Sequence, residues 1–322
     1  MFLSDAAFNY PYIKIETTVW KIKYVNLWTQ MLDLNKNLEV NQQYRKKWVS
    51  SHYLSYNVNS RLNLSIFESV IYGSDSLNRG IEASYFNPII LFRPIEFSNG
   101  SDAANVIIGF GASYKLTDGL MVYGQFALDE FVLKEITSEP GSWRNKSSYQ
   151  LGLKYLNAFK VAGLNLRGEI NAVRPYMYQH TQSLTNYGHY NQPLAHPWGG
   201  NLFEAIFQAN YRYKRIVADL QLNMGRTGLD TNNSNWGKNV YLSYNDREQD
   251  DNNKIGQGAQ VNIMYVEARL AYIINPSYNM RVEAGAVFRS QTYAVASNGT
   301  DYQKPYLYLG IRTGLFNNYF DF

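Results

Sequence analysis

The chain has 322 residues, 45% of them hydrophobic, with 30 Lys and Arg against 26 Asp and Glu and a formal net charge of +4. This balance, without a basic patch or run, disfavours a nucleic-acid binder, and the absence of Cys excludes disulfides and thiolate chemistry. No apolar run approaches the ~20 residues of a membrane helix, so a membrane location requires a closed β-barrel. The 28 Tyr and 6 Trp favour a membrane–water boundary.

Alternating apolar and polar residues predict β-strands along the whole chain. In 202–213, Phe207 and Ala209 alternate with Gln208 and Asn210, and only Lys214 and Arg215 separate this run from the next. A period of two marks a strand with one apolar face, and so short a connection predicts a hairpin. The first predicted strand changes register near Val19 and Trp20, which indicates a bulge. Twelve strands are predicted, at about 12–28, 48–57, 61–72, 104–116, 120–131, 147–156, 163–174, 202–213, 216–225, 258–273, 279–289 and 306–316.

Short and long connections alternate strictly between these strands. The short ones are 58–60, 117–119, 157–162, 214–215 and 275–278; the long ones are about 33–47, 73–103, 132–146, 175–201, 226–257 and 290–305. Bacterial outer-membrane barrels have short periplasmic turns and long extracellular loops. The pattern therefore predicts an all-β fold, a transmembrane antiparallel β-barrel, with an even number of strands and a first strand that starts from the periplasmic side. A Tyr-rich soluble sandwich is the disfavoured alternative.

The alternation also assigns the two faces of the predicted barrel. Apolar positions such as Leu151, Ile170 and Val282 are expected to face lipid. The residues between them are expected to face the lumen and include Gln150, Lys154, Asn165, Arg167, Glu169, Asn171, Arg281, Glu283 and Arg289. Because this lumen carries charges of both signs, ion pairs between neighbouring strands are predicted there.

The long connection 175–201 holds three of the four His residues and many aromatic and amide side chains. Aromatic rings stack on sugar faces and amides bind hydroxyls, so the loop is either a carbohydrate-binding surface or a folded plug that closes the barrel. The His spacing matches no compact zinc template and no carboxylate lies within the loop, so no metal or cofactor is predicted. Ser183 lacks the marks of an activated nucleophile, which predicts a non-enzymatic protein. The candidate glycan-binding residues are Tyr176, Tyr178, His180, Tyr187, His189, Tyr190, Gln192, His196 and Trp198.

Two further groups of polar residues are interpreted from their positions in the predicted strands and connections. Adjacent strand residues such as Asp129 and Glu130 point to opposite faces, so they cannot act as one acid–base pair. The connection 226–257 contains runs of Asp and Asn that predict a solvated loop. A charge network in the lumen or at its rim is predicted from Arg93, Glu96, Asp129, Glu130 and Arg174.

Six segments carry a resemblance to a known family, and the most specific of them, 186–197, reads NYGHYNQPLAHP. The others are 52–58, 87–97, 123–131, 173–176 and 254–258. Together they resemble the Wzi family of capsule-assembly outer-membrane proteins, and most of all its Bacteroidetes branch, which includes gliding motility proteins named RemB. The resemblance runs from about residue 12 to the C-terminus. It implies a large barrel whose outer loops hold capsular polysaccharide, with a part in surface motility in the gliding branch.

The extent of the chain is a separate expectation. Residues 1–322 are interpreted as one barrel domain in the bacterial outer membrane, and no signal peptide is visible at residue 1. Members of the resembled family are longer, so the chain either is the C-terminal part of an about 18-strand barrel or closes by itself. The expected partners are outer-membrane lipid, surface polysaccharide bound through loops 73–103, 175–201 and 226–257, and other envelope proteins. A porin-like diffusion channel and a subunit of a secretion or gliding assembly are the alternative functions.

Overall fold

A computed structural model describes residues 1–35, 42–73, 83–89, 104–129 and 141–314. Thirteen strands form one antiparallel sheet in chain order, and β9 and β10 form a separate hairpin between β8 and β11. Within these ranges no helix is both long and apolar enough to cross a membrane. The strands are β1 Tyr12–Val19, β2 Ile22–Asp33, β3 Arg45–Asn57, β4 Leu62–Gly73, β5 Ala104–Lys115, β6 Leu120–Asp129, β7 Lys146–Tyr155, β8 Leu164–Val173, β9 Gly188–His189, β10 Gln192–Pro193, β11 Leu202–Tyr213, β12 Ile216–Leu229, β13 Ala259–Asn275, β14 Met280–Tyr293 and β15 Tyr302–Arg312.

The prediction of an all-β, antiparallel barrel-type sheet is confirmed, but its first strand is wrong. Residues 12–28 do not form one bulged strand, because the chain reverses at Trp20 and Lys21 and Val19 pairs with Ile22. Trp20 adopts a φ of 54°, which a two-residue hairpin turn requires. The sheet therefore has thirteen strands rather than twelve. In the described part of the chain β1 and β15 each pair with one neighbour, so this sheet is not closed.

All the predicted short connections lie at one end of the sheet, which we call the short-turn end. The turn at Trp20 and Lys21 also lies there. We call the opposite end the long-loop end. β1 therefore begins at the long-loop end, and the prediction that the first strand starts from the short-turn side is wrong. The alternation of short and long connections is otherwise confirmed. Twelve of the thirteen strands of the sheet have ten or more residues, a length sufficient to cross a bilayer when tilted, and β1 has eight.

The predicted faces are confirmed by exposure and by side-chain contacts. Gln150, Glu169 and Asn171 hydrogen-bond to one another on the face that we call inner. The apolar residues between them point to the outer face, where Leu307 is 84% exposed and Leu309 is 78% exposed. A soluble protein rarely leaves so continuous an apolar surface uncovered, whereas a barrel in lipid requires it.

The inner face near the long-loop end is covered by a folded plug, defined as residues 1–10, 174–201 and 230–258. Tyr178, Tyr187 and Leu194 of the plug are buried in one core with strand residues Phe67 and Ile107. Phe2 stacks on Phe67 with ring centroids 4.9 Å apart. Of the two alternatives for loop 175–201, the structure therefore shows the packed plug.

The outer face of β2 to β5 is also covered, by the described part of connection 73–103. Tyr85 is buried against Tyr72, and Phe86 stacks on Trp28 at 5.5 Å. The indole nitrogen of Trp28 donates to the carbonyl oxygen of Tyr85. This segment was predicted to be an extracellular binding loop, but residues 83–89 lie along the strands because their aromatic rings bury apolar surface there.

Candidate functional site

The plug is held together by buried polar side chains rather than by a large apolar core of its own. Asn201, Asn235 and Gln257 are buried, and Asp230 accepts hydrogen bonds from the backbone nitrogens of Trp236 and Asn239 at 2.6 and 2.7 Å. Burial raises the pKa of Asp230. The prediction that connection 226–257 is a solvated loop is therefore wrong for these residues, because their amides and carboxylate satisfy buried backbone groups.

Most of the predicted glycan-binding side chains form the interior of the plug. Burial raises the pKa of Tyr176 to about 12 and also raises the pKa values of Tyr178 and Tyr187. Trp198 is half-buried, with its ring over Gly225 of β12. Rings without exposed faces have no surface to offer a sugar, so in this structure they pack the plug. The six buried candidates are Tyr176, Tyr178, His180, Tyr187, His189 and His196.

The three His residues of the plug bond to different partners. His180 Nδ1 lies 2.6 Å from the Thr185 hydroxyl, whereas His196 Nε2 lies 3.0 Å from a carboxylate oxygen of Glu204 on β11. Across the described ranges, no three His, Cys, Asp or Glu side chains are grouped closely enough to hold a metal ion. Their geometry suits hydrogen bonding between the plug and the sheet.

The exposed remainder of the candidate site is the tip of the β9–β10 hairpin. Tyr190 and Asn191 form its two-residue turn with φ values of 52° and 56°, the left-handed geometry of a tight hairpin. Tyr190 is 38% exposed and its ring lies 5.1 Å from that of Phe8, which is 57% exposed. We call Phe8, Tyr190, Asn191 and Gln192 the hairpin-tip patch.

The hairpin-tip patch combines two aromatic rings with two exposed side-chain amides on a fixed backbone. Gln192 Oε1 accepts a 2.6 Å hydrogen bond from the Phe8 nitrogen, and the Gln192 carbonyl accepts one from the Tyr241 hydroxyl. These bonds join three segments that are distant in sequence. The contribution of Phe8 was not predicted, because nothing in the sequence places residue 8 beside residue 190.

His189 anchors the hairpin to the edge of β2. The Leu32 nitrogen donates to His189 Nδ1 at 3.0 Å, and the Tyr190 nitrogen donates to the Leu32 carbonyl at 3.3 Å. The Nδ1 atom must therefore be unprotonated. Burial and the nearby Lys47 ammonium lower the pKa of His189 below its usual 6.5, and the faces of Tyr10 and Tyr190 pack against the ring.

We expect the docking of the hairpin to weaken as the pH falls. A folded-state pKa below the unfolded one means that the unfolded state binds more protons, so stability from neutral His189 is present above about pH 6.5 and declines below it. The protection factors of the Leu32 and Tyr190 amides, which correct for the intrinsic pH dependence of exchange, should be lower at pH 5 than at pH 7.5. His189→Gln, whose amide oxygen can accept the same bond without titrating, should remove this difference; an unchanged difference would contradict the assignment.

The predicted charge network lies only partly within the described residues. Arg93, Glu96 and Glu130 fall outside them. Asp129 is buried and its Oδ2 accepts a 2.8 Å hydrogen bond from the Tyr178 nitrogen. Arg174 Nε donates to the Asn145 carbonyl at 2.7 Å. Asp129 on β6 thus holds the plug against the sheet, and Arg174 binds the residue that precedes β7.

Below the plug, the inner face carries a connected polar ladder. Glu204 accepts from Asn171 and Asn223 at 3.2 and 3.3 Å in addition to its contact with His196. Glu169 accepts from Arg167 at 2.6 Å, from the Tyr123 hydroxyl and from Asn171. The predicted ion pairs between neighbouring strands are confirmed for Asp219 with Arg269 and for Glu283 with Arg312. Arg167–Glu169 and Arg281–Glu283 instead each lie within one strand.

Comparison with solved structures gives the class of fold. The chain is similar to Wzi of Escherichia coli, an outer-membrane protein involved in group 1 capsule assembly and a carbohydrate-binding β-barrel, with a TM-score of 0.55 at 12% identity. The match covers 90% of this chain and 55% of the Wzi chain, so the protein spans about half of that structure. At this identity the likeness shows the fold of an outer-membrane β-barrel.

Two other barrels are more distant. The RagAB peptide importer has a TM-score of 0.36 at 13% identity, covering 87% of this chain and 34% of that one. A FadL homologue of Pseudomonas aeruginosa has a TM-score of 0.35 at 11% identity, covering 92% and 74%. Neither similarity is high enough to support an argument. No protein-family model and no curated protein matches the chain.

Proposed function

We propose that this protein is a non-enzymatic barrel of the bacterial outer membrane that holds a surface polysaccharide at its long-loop end. The observation that carries the proposal is the hairpin-tip patch, in which exposed Tyr190 and Phe8 rings adjoin the Asn191 and Gln192 amides. Rings that stack on sugar faces and amides that bind hydroxyls are the groups a carbohydrate site needs. The likeness of the fold to a carbohydrate-binding barrel supports the same function.

The plug supports a binding role over a diffusion channel. It covers the inner face at the long-loop end with residues that are buried and hydrogen-bonded to the sheet. It also provides the rigid base that a weak, multivalent glycan contact requires, because a fixed site loses little entropy on binding. Membership of the Wzi family and a part in gliding motility are finer forms of this proposal and rest on the segment 186–197.

We expect Tyr190→Ala to weaken binding of surface polysaccharide by about fivefold, since one lost aromatic contact costs on the order of 1 kcal/mol. The measurement is binding of the purified protein in detergent to polysaccharide extracted from its own cells. Tyr213→Ala is the matched control, because Tyr213 is 54% exposed at the opposite, short-turn end. Equal affinity of the two variants, or no binding by the unaltered protein, would overturn the proposal.

A further inference from the structure

A second feature of the molecule is a row of polar side chains on the inner face near the short-turn end. The register aligns Lys154 with Arg167, Arg167 with Gln208, Gln208 with Gln221 and Gln221 with Glu267. Neighbouring strands lie about 4.8 Å apart, so the row spans roughly 19 Å along the sheet. It has two cations at one end, two amides in the middle and a carboxylate at the other end.

These side chains line a cavity of about 360 Å³ on the short-turn side of the plug. This volume lies at the lower end of the range of ligand pockets, roughly 300–1,000 Å³. Asn165, Asn210, Asp219 and Arg269 also line it. The cavity therefore offers many hydrogen-bond donors and acceptors, and they lie on rigid strands rather than on loops.

The charges at the far wall of the cavity are already satisfied. Arg269 donates two hydrogen bonds to Asp219 at 2.9 and 2.7 Å. Glu267 accepts from the Tyr265 and Tyr308 hydroxyls at 2.8 and 2.7 Å. This wall therefore presents charges that already have partners.

The near wall differs, because it holds a cation without an acidic partner. Among the described residues no carboxylate lies within salt-bridge distance of Lys154, whose Nζ lies 5.2 Å from the ring of Tyr123. Its cross-strand neighbour Arg167 is also a cation and uses Nη2 for Glu169. Like charges directly opposite one another are unfavourable in a sheet, and a bound anion would relieve that repulsion.

We propose that this cavity binds a saccharide segment that carries a carboxylate, with the carboxylate at Lys154 and Arg167. The Gln208 and Gln221 amides, which both donate and accept, bind its hydroxyls. Nine of the thirteen lining residues are polar or charged, which suits the many hydroxyls of a sugar. This proposal rests on the proposed function and adds to it the acidic class of the glycan and a second site on the inner face.

The test is calorimetric binding of an acidic trisaccharide, trigalacturonate, to the whole purified chain in detergent, with maltotriose as the uncharged probe of equal length. We expect trigalacturonate to bind and maltotriose to bind at least tenfold more weakly. Lys154→Gln should weaken trigalacturonate binding about tenfold, because a charge-assisted hydrogen bond is lost. Lys160→Gln, which removes an exposed cation from the adjacent turn without touching the cavity, should leave binding unchanged.

The outcomes separate the two sites. Failure of trigalacturonate to bind, or equal effects of Lys154→Gln and Lys160→Gln, would overturn the cavity proposal. Binding of the native polysaccharide that depends on Tyr190 would then still stand. Conversely, Tyr190→Ala should not alter trigalacturonate binding, since Tyr190 lies at the long-loop end. If Tyr190→Ala weakened trigalacturonate binding as much as Lys154→Gln does, the acidic sugar would bind the hairpin-tip patch, and the cavity proposal would be overturned.

Discussion

Replacing Asn201 with alanine is expected to lower the free energy of unfolding of the plug by about 3 kcal/mol, because several buried backbone groups would lose their partner. The Asn201 amide nitrogen lies 3.3, 3.2 and 2.9 Å from the carbonyl oxygens of Gly228, Trp236 and Gln257. Its Oδ1 accepts a 2.7 Å hydrogen bond from the Gly256 nitrogen. One side chain thus joins the end of connection 174–201 to both ends of connection 230–258.

The measurement is limited proteolysis of the folded protein, with cleavage inside the plug followed against denaturant concentration. Asn232→Ala is the matched control, because Asn232 has the same left-handed backbone with φ of 54° but an exposed side chain. Asn201→Asp keeps the volume and the acceptor and removes the two donated hydrogens, so it should be at least as damaging as alanine. If protease cleaves the plug of the Asn201→Ala and Asn232→Ala variants at the same denaturant concentration, the stability of the plug does not depend on the Asn201 amide.

The strands and their faces follow from the sequence because they obey one local rule. Each strand alternates, and four of the five confirmed turns contain Asn, Asp, Ser or Gly, residues that favour turn geometry. The turn at Trp20 and Lys21 breaks that rule. A bulky aromatic residue at positive φ is uncommon, so the change of register at Val19 and Trp20 predicts a bulge although the chain reverses there.

For the candidate glycan-binding site, the residue types could be predicted from the sequence, but their arrangement could not. Loop 175–201 was identified as aromatic and rich in amides, which leaves a binding surface and a plug equally open. Burial decides between them residue by residue, and burial depends on contacts with Phe67, Ile107 and other residues far away in sequence. Asn201 illustrates the limit, since an Asn before a strand looks like any turn residue until its four hydrogen-bond partners come together in the fold.

Gly237→Ala is expected to detach the plug at a second point and to open a path along the inner face. Gly237 has a φ of 87°, and a methyl group there would overlap the backbone of Pro175 and Tyr176. The Tyr176 nitrogen donates to the Gly237 carbonyl at 3.1 Å, so the two plug connections are in backbone contact at this residue. Positive φ alone costs a residue with a Cβ on the order of 1–3 kcal/mol, and the overlap adds to that.

Planar-bilayer recording of the purified protein distinguishes a plugged barrel from a channel. The unaltered protein should be silent, and Gly237→Ala should show stepwise conductance because the plug no longer packs against Val173 and its neighbours. Gly168→Ala is the control, since Gly168 lies on the outer face of β8, where an added Cβ meets no atom within 4 Å. Conductance by the unaltered protein would favour a porin-like role over the proposed one. A silent Gly237→Ala variant that resists protease as well as the parent would show that the contact between the two connections is dispensable. The plug would then depend on the side-chain hydrogen bonds of Asn201 and on the bond from the Tyr178 nitrogen to Asp129 of β6.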